Sequence, residues 1–300
     1  MNTLEKKHPN DRDHRLNYDS TTHTYNTDTC HNFRNVSSVI KGAFPPFETN
    51  RVAASCSRSH NPEYRNKSPS QIKTSWARSR KLGTQLHDII DMFYNMNDAP
   101  YAGTGVESSL AQFMTWNNKK EDVEGWEIFR TEWRIFDEEL KVAGTVDAVF
   151  VDKDGKYHLV DWKRSKEIKN HAYRGARATA QGLTHLLACN YNQYALQLNT
   201  YKYILERRYG IKIETQRLVQ LHPSIKEYKE FIVPEMKQEV NALLIPGYSF
   251  REPPPPRVDF IPNIASVGSL KLSKSKSVKR PTELACSLSL LRRRRAARSK

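Results

Sequence analysis

Apolar positions keep helical spacing early in the chain, alternate like strands in the middle and lose any period near the end. In "SPSQIKTSWARSRKLGTQLHDIIDMFYNMN", Leu86, Ile89, Ile90 and Phe93 recur at helical intervals. Ser68 or Ser70 suits an N-cap, so the segment predicts one or two helices. "VESSLAQFMTWNNKK" predicts another. Residues 126–137, 140–152 and 156–165 are rich in Val, Ile, Phe, Trp and Tyr and predict three strands, the last two joined by a turn at "DKDG" (152–155). Residues 191–210 form an amphipathic helix pattern ended by Gly210. A strand over 211–223, a short strand in "EYKEFIV" and a helix after Pro234 follow. Upstream, residues 23–44 predict a short hairpin leading into a helix near Ser37 and Ser38, and "FPPFETN" a loop. Residues 52–68 and 166–190 show no clear period. This is an α/β pattern, with a mixed central sheet flanked by helices on both sides.

Composition limits how much of the chain packs. Hydrophobic content is 38%, below the globular average. The polar first 21 residues predict a disordered arm. "EPPPP" (252–256) closes a domain over 22–248, and residues 249–300 read as a Pro-rich linker and a basic disordered tail. The formal net charge is +15, and residues 251–300 hold 13 Lys/Arg against 3 Asp/Glu. A basic tail of this kind suits a polyanion or a nuclear-import receptor. No apolar run approaches 18 residues, and the N-terminus is too polar for a secretory signal. Cys30, Cys56, Cys189 and Cys286 are scattered, which argues against a disulfide framework, a zinc site or an iron–sulfur cluster. These features point to a reducing compartment, nucleus or cytoplasm, and to no membrane partner.

The candidate chemistry lies in the central hairpin. "LVDWKRS" places Asp161 and Lys163 on one strand face and Trp162 on the other. Taken alone, this reads more readily as a surface ion pair. The preceding strand, however, carries Asp147 among Val146, Ala148, Val149 and Phe150, in surroundings that exclude water. If paired residue numbers sum to an odd value, the two acids lie on opposite faces. If they sum to 308, Asp147 lies directly across from Asp161. Opposed carboxylates repel and weaken a sheet unless a cation sits between them. Mg2+ (or Mn2+) suits an all-oxygen pair that leaves waters free to meet phosphate. Lys163 then stands where an ammonium assists an attacking water or neutralises developing phosphate charge.

Asp147 followed by Asp161-x-Lys163 resembles the PD-(D/E)XK nuclease core, and the chain is similar in particular to the RecB-like and viral-type exonuclease branch. "GTQLH" (83–87) matches that branch's upstream helix, "GTVDAVF" its first aspartate and "QLNTY" (197–201) its Q-x-x-x-Y motif. The resemblance implies a restriction-endonuclease-like fold. It implies His87, Asp147 and Asp161 as metal ligands, Lys163 as catalytic lysine, and Gln197 and Tyr201 as substrate-positioning residues. Some relatives use an acid near Glu132, for which a structural role is an equal reading. The reaction implied is metal-dependent hydrolysis of phosphodiester bonds, DNA being favoured over RNA by resemblance only. An exonuclease of DNA replication, recombination or repair fits this reading. A catalytically silent nucleic-acid-binding protein on the same core is the alternative. The interval 166–190 is long for the compact members; its Lys166, Lys169, His171, Arg174 and Arg177 suit either a phosphate grip or a solvated loop.

Overall fold

The computed structural model describes residues 3–19, 21–22, 24–95 and 102–248. Its helices are α1 (Thr3–Lys7), α2 (Val36–Gly42), α3 (Thr49–Ser57), α4 (Pro69–Tyr94), α5 (Glu107–Asn118), α6 (Asn190–Arg208) and α7 (Lys237–Leu244). Its strands are β1 (Asn17–Asp19), β2 (Thr24–Asn26), β3 (Arg34–Asn35), β4 (Glu127–Asp137), β5 (Val142–Val151), β6 (Tyr157–Lys163), β7 (Ile213–Gln220) and β8 (Lys229–Val233). The strands and helices expected from 126 onward therefore form where the apolar pattern places them. The segment before residue 95 is one helix, α4. Ser68 caps it by accepting from Gln71 N, and Ser68 N donates in return to Gln71 Oε1.

β1 and β2 form a two-stranded hairpin. The main sheet is mixed. β5 pairs antiparallel with β4 along one edge, from Asp137↔Val142 to Glu127↔Val151. Its other edge is shared: β3 runs parallel beside Val142 and Ala143, and β6 runs antiparallel beside Ala148–Val151. β6 continues the sheet through parallel β7 and antiparallel β8. Residues 144–147 of β5 thus lie in a fork between β3 and β6, and a fork in a sheet opens backbone and side chains to a third element.

Alternation along the strands sends apolar side chains into two cores. Leu159 and Leu218 meet α2, α6 and α7 residues such as Ile40, Leu198, Leu205 and Val240. Phe150, Val160, Trp162 and Val219 meet Leu86, Ile90 and Phe93 of α4 and Leu110, Phe113 and Trp116 of α5. Trp162 stands edge-on to Phe113 and Trp116, with centroids at 5.4 and 4.9 Å, and so locks the orientation of β6.

Several expectations change. The N-terminal residues 3–19, read as a disordered arm, are ordered and packed. Leu4 and Leu16 are buried, and Asp13 accepts from Arg130 Nη1 at 2.8 Å and from Trp133 Nε1 at 2.7 Å. Arg130 is buried on β4, and its charge requires that acid. The hairpin begins earlier than expected, at Asn17, and Asn35 caps α2 by accepting from Ser37 N. Part of the polar stretch 52–68 belongs to α3. Segment 166–190 has little regular structure, yet Ala178, Leu183 and Leu186 are buried and Thr179 N donates to Ala43 O. The Pro-rich linker and basic tail, 249–300, lie outside the described residues.

Candidate active site

The hairpin adopts the even register. Val151 faces Tyr157 and Ala148 faces Val160, so paired numbers sum to 308. Continuing that register sets Asp147 opposite Asp161. There the strands begin to part, and the Trp162 amide donates to Asp147 Oδ2 at 2.9 Å. The carboxylate takes the place a strand carbonyl would fill, and the fork starts at this bond. On the other edge of β5, the β4 register sets Glu132 between the pairs Thr131↔Ala148 and Trp133↔Val146, hence opposite Asp147. Three neighbouring strands thus carry an acid at the same level.

Glu132 has φ 42°, a left-handed conformation that costs a non-glycine residue about 1–3 kcal/mol. This strain coincides with the point where its carboxylate meets the ring of His87. His87 comes from α4, on the opposite layer from α6. Its Nε2 lies 3.0 Å from Trp162 O; a carbonyl only accepts, so Nε2 carries the proton. Nδ1 therefore faces the acids, at 3.6 Å from Glu132 Oε1 and 3.5 Å from Asp147 Oδ2. One ligand atom from each of His87, Glu132 and Asp147 lies within 4.8 Å of the others. Side-chain exposure falls from 35% at Glu132 through 23% at His87 and 11% at Asp147 to 2% at Asp161. The site is an inlet open at Glu132 and closed at Asp161.

Lys163 follows on the same face as Asp161, with Nζ 2.6 Å from Asp161 Oδ2, and donates to Gln197 Oε1 at 3.1 Å. It also sits over the Tyr194 ring, 4.6 Å from the centroid. Gln197 Nε2 donates to Tyr201 OH at 3.1 Å. Gln197 and Tyr201 are one turn apart on α6, so a single helix face holds the lysine from behind. Tyr201 reaches this position only because residue 144 is glycine: a Cβ there would lie 2.7 Å from Tyr201 Cε1.

The electrostatics are those of crowded, buried charge. Burial raises the Asp161 carboxyl to about 7, with the Asp147 charge adding to it and Lys163 only partly offsetting it. Burial also raises Asp147, against the pull of His87 and Lys163. Burial lowers His87, but Asp147 and Glu132 outweigh it and bring the ring to about 9. Lys163 is likewise desolvated, yet Asp161 and Asp147 hold its pKa above the usual lysine value.

A family model for the PD-(D/E)XK nuclease superfamily matches residues 49–252. The chain belongs to this superfamily. A comparison with curated proteins finds no match. Among solved structures, the crystal structure of SSO0001 is similar at 14% identity over 70% of each chain, with a TM-score of 0.30. PD-(D/E)XK nucleases use divalent metal ions, and the residues of this site fit one. His87 offers a ring nitrogen whose partner nitrogen is already committed to Trp162 O, the arrangement that orients a ligating histidine. The two oxygens of Asp161 are buried and accept no well-aligned hydrogen bond among the described residues, the Lys163 ammonium lying close but off-axis.

All seven residues singled out in the sequence meet in this one region. Among the described residues, the group whose donor atoms could hold a metal ion is His87, Glu132 and Asp147, with Asp161 across the fork and beside Lys163. The sequence gives Glu132 no more than an even claim to the site. The signal that separates the two readings is its position opposite Asp147, which depends on a register shift in β4 between Ile128 and Arg130. Two further side chains reach the site without any motif in the sequence to mark them. Ser37, at the start of α2, is an acceptor for Gln197 Nε2 at 3.4 Å, and Tyr194 lies beneath Lys163. Of the basic residues named in 166–190, Lys166 pairs with Glu63, Lys169 with Glu167, Arg174 lies over the Tyr173 ring at 5.3 Å, and Arg177 donates to His185 O at 2.7 Å.

Proposed function

We propose that this protein is a Mg2+-dependent deoxyribonuclease of the RecB-like, viral-type exonuclease branch, acting in DNA replication, recombination or repair. The observation that carries this reading is the fork itself: Asp147 and Asp161 face each other in a half-closed inlet, with His87 and Glu132 at one side and Lys163 at the other.

In this reading His87, Glu132, Asp147 and Asp161 hold the cation, through oxygens and one imidazole nitrogen. A bound divalent cation supplies Lewis-acid polarisation of a phosphate oxygen and acidifies a water at neutral pH. Lys163 remains an ammonium beside Asp161 and can donate to a phosphate oxygen as its charge grows. Gln197 fixes the lysine's position, and Tyr201 fixes Gln197, so the donor needs little rearrangement when the reaction begins. The Trp162 carbonyl keeps His87 Nδ1 aimed at the acids. The site is most exposed at Glu132, which suits a sugar–phosphate backbone approaching from that side.

The test is incubation of the purified protein with end-labelled linear and circular DNA, single- and double-stranded, in Mg2+, Mn2+ or EDTA. Mg2+-dependent release of short products from linear but not circular DNA is the expected result. Cleavage of circles identifies an endonuclease instead. No cleavage in either metal overturns the enzymatic reading.

A further inference from the structure

Helix α4 is longer than its place in the core requires. Its C-terminal half carries Leu86, Ile89, Ile90 and Phe93 into the body of the protein. Ala77, Arg78, Ser79, Arg80 and Lys81 are all exposed. Five consecutive exposed residues span more than a full turn, so no face of the helix is covered there. N-terminal to them, α3 packs on α4 with a small core of its own, Ala53 and Ile72 both at 0% exposure and outside the main cores. Residues 46–82 therefore form a helical arm projecting from the body on the helix that carries His87.

The arm's surface has two further properties. It holds eight Lys/Arg and two Glu. Both Glu are engaged, Glu48 with Arg51 and Glu63 with Lys166. It also presents aromatic rings. Phe47 is 66% exposed and meets Trp76 edge-on at 5.8 Å, and Tyr64 meets Trp76 at 6.3 Å. Trp76 and Tyr64 are half-buried, so they hold the cluster together, and Phe47 leaves most of its ring open to a ligand. Helical phase places them: Trp76 precedes His87 by eleven residues and Arg80 precedes it by seven, near whole numbers of turns. Trp76, Arg80 and His87 thus share one face of α4, with the aromatic group about 16 Å along the axis from the site. The Lys166–Glu63 pair ties the arm to the segment that follows Lys163.

We propose that this arm is a guide for single-stranded DNA, stacking bases on Phe47 and Trp76 and holding phosphates at Arg80 and its neighbours, so that one strand is led along α4 to His87. The choice of DNA rests on the nuclease reading above; the choice of a single strand does not. Bases in a duplex are stacked on each other and present no face to an exposed ring, whereas those of a single strand do. Arg80 on the same face, with Arg78 and Lys81 exposed beside it on other faces of the helix, supplies the sequence-independent contact.

The experiment is fluorescence anisotropy in EDTA, so that no cleavage occurs, with labelled single-stranded DNA, its duplex and an RNA of the same sequence. Phe47→Ala decides the question, because Phe47 is mostly exposed and its loss leaves the fold intact. Loss of one stacked base should weaken single-strand binding roughly five- to tenfold. Duplex binding should change less than twofold, and Phe47→Leu should behave as Phe47→Ala, since it keeps apolar area and loses the ring. Arg80→Glu should lower the salt dependence of single-strand binding by about one phosphate contact. Unchanged single-strand affinity in Phe47→Ala, an equal loss on duplex, or tighter binding of RNA than DNA overturns the proposal. Arm-dependent binding without Mg2+-dependent cleavage leaves the guide standing and removes the nuclease reading alone.

Discussion

The main-chain amide of Trp162 donates to the carboxylate of Asp147 across the fork at 2.9 Å. One side chain thereby serves both the sheet, as the acceptor where β5 and β6 part, and the site, as a charged group facing His87. The two roles separate by substitution. Asp147→Asn keeps an acceptor oxygen and loses the charge, whereas Asp147→Ala loses both. Both variants should lack cleavage. In urea unfolding with EDTA, Asp147→Ala should be less stable than Asp147→Asn by about 1 kcal/mol or more, the cost of leaving a partly buried amide without a partner. Equal stabilities would mean that the hydrogen bond contributes nothing to the fork.

Lys163→Ala should abolish cleavage and spare DNA binding, because an ammonium acting mainly as charge develops contributes little to ground-state affinity. Lys163→Arg should not rescue activity: the planar guanidinium does not fit the place between Asp161 and Gln197 where a point charge sits. Single-turnover cleavage set beside anisotropy in EDTA separates the two effects. Full cleavage by Lys163→Ala would refute the assignment.

The buried carboxyl of Asp161 makes the metal-free protein sensitive to pH. Its folded pKa, about 7, lies above the ordinary aspartate value of 3.8. Its contribution to stability is therefore complete below about pH 4 and is lost as pH rises through 7. His87, raised from 6.5 to about 9, adds a contribution that is complete below 6.5 and is lost as pH rises through 9. In EDTA, unfolding free energy should fall from pH 5 to pH 9. Asp161→Asn should flatten the portion below pH 7 and leave the His87 portion. Urea titrations followed by tryptophan fluorescence at pH 5, 7 and 9 measure this directly; a rise toward pH 9 would contradict it.

Gly144 tests whether Tyr201 positions Lys163. A Cβ at residue 144 would overlap the Tyr201 ring, so Gly144→Ala should destabilise the protein by about 1–3 kcal/mol and displace the Tyr201–Gln197–Lys163 chain. Tyr201→Phe removes only the hydroxyl that accepts from Gln197 and should leave stability nearly unchanged. If positioning is its role, Tyr201→Phe should lower kcat more than it raises KM. A change confined to KM would assign Tyr201 to substrate binding instead.

The basic tail carries a prediction of its own. Lys279 and Arg280, followed after eleven residues by Arg292–Arg295, have the spacing of a bipartite nuclear-import signal. Residues 265–300 fused to a cytosolic fluorescent reporter should accumulate in eukaryotic nuclei. An unchanged distribution would leave the tail as a salt-sensitive polyanion grip.

The local order of apolar residues determined β4 to β8, α5 and α6, because period and turn chemistry are properties of neighbours in the chain. Asp147, Asp161 and Lys163 were legible for the same reason: side-chain alternation limits their faces to two arrangements, and an even register was one of them. What the chain could not decide alone was which register forms. That choice belongs to the packing of Trp162 against Phe113 and Trp116 on one face and of Leu159 in the α6 core on the other. The place of Glu132 was hidden by the shift in β4 and its left-handed backbone, neither of which has a period. The first residues were hidden differently. They look polar enough for disorder, yet Asp13 is the acid that the buried Arg130 requires, more than a hundred residues away. Charge partners so far apart in sequence meet only once the sheet has formed, so their pairing is a property of the tertiary structure.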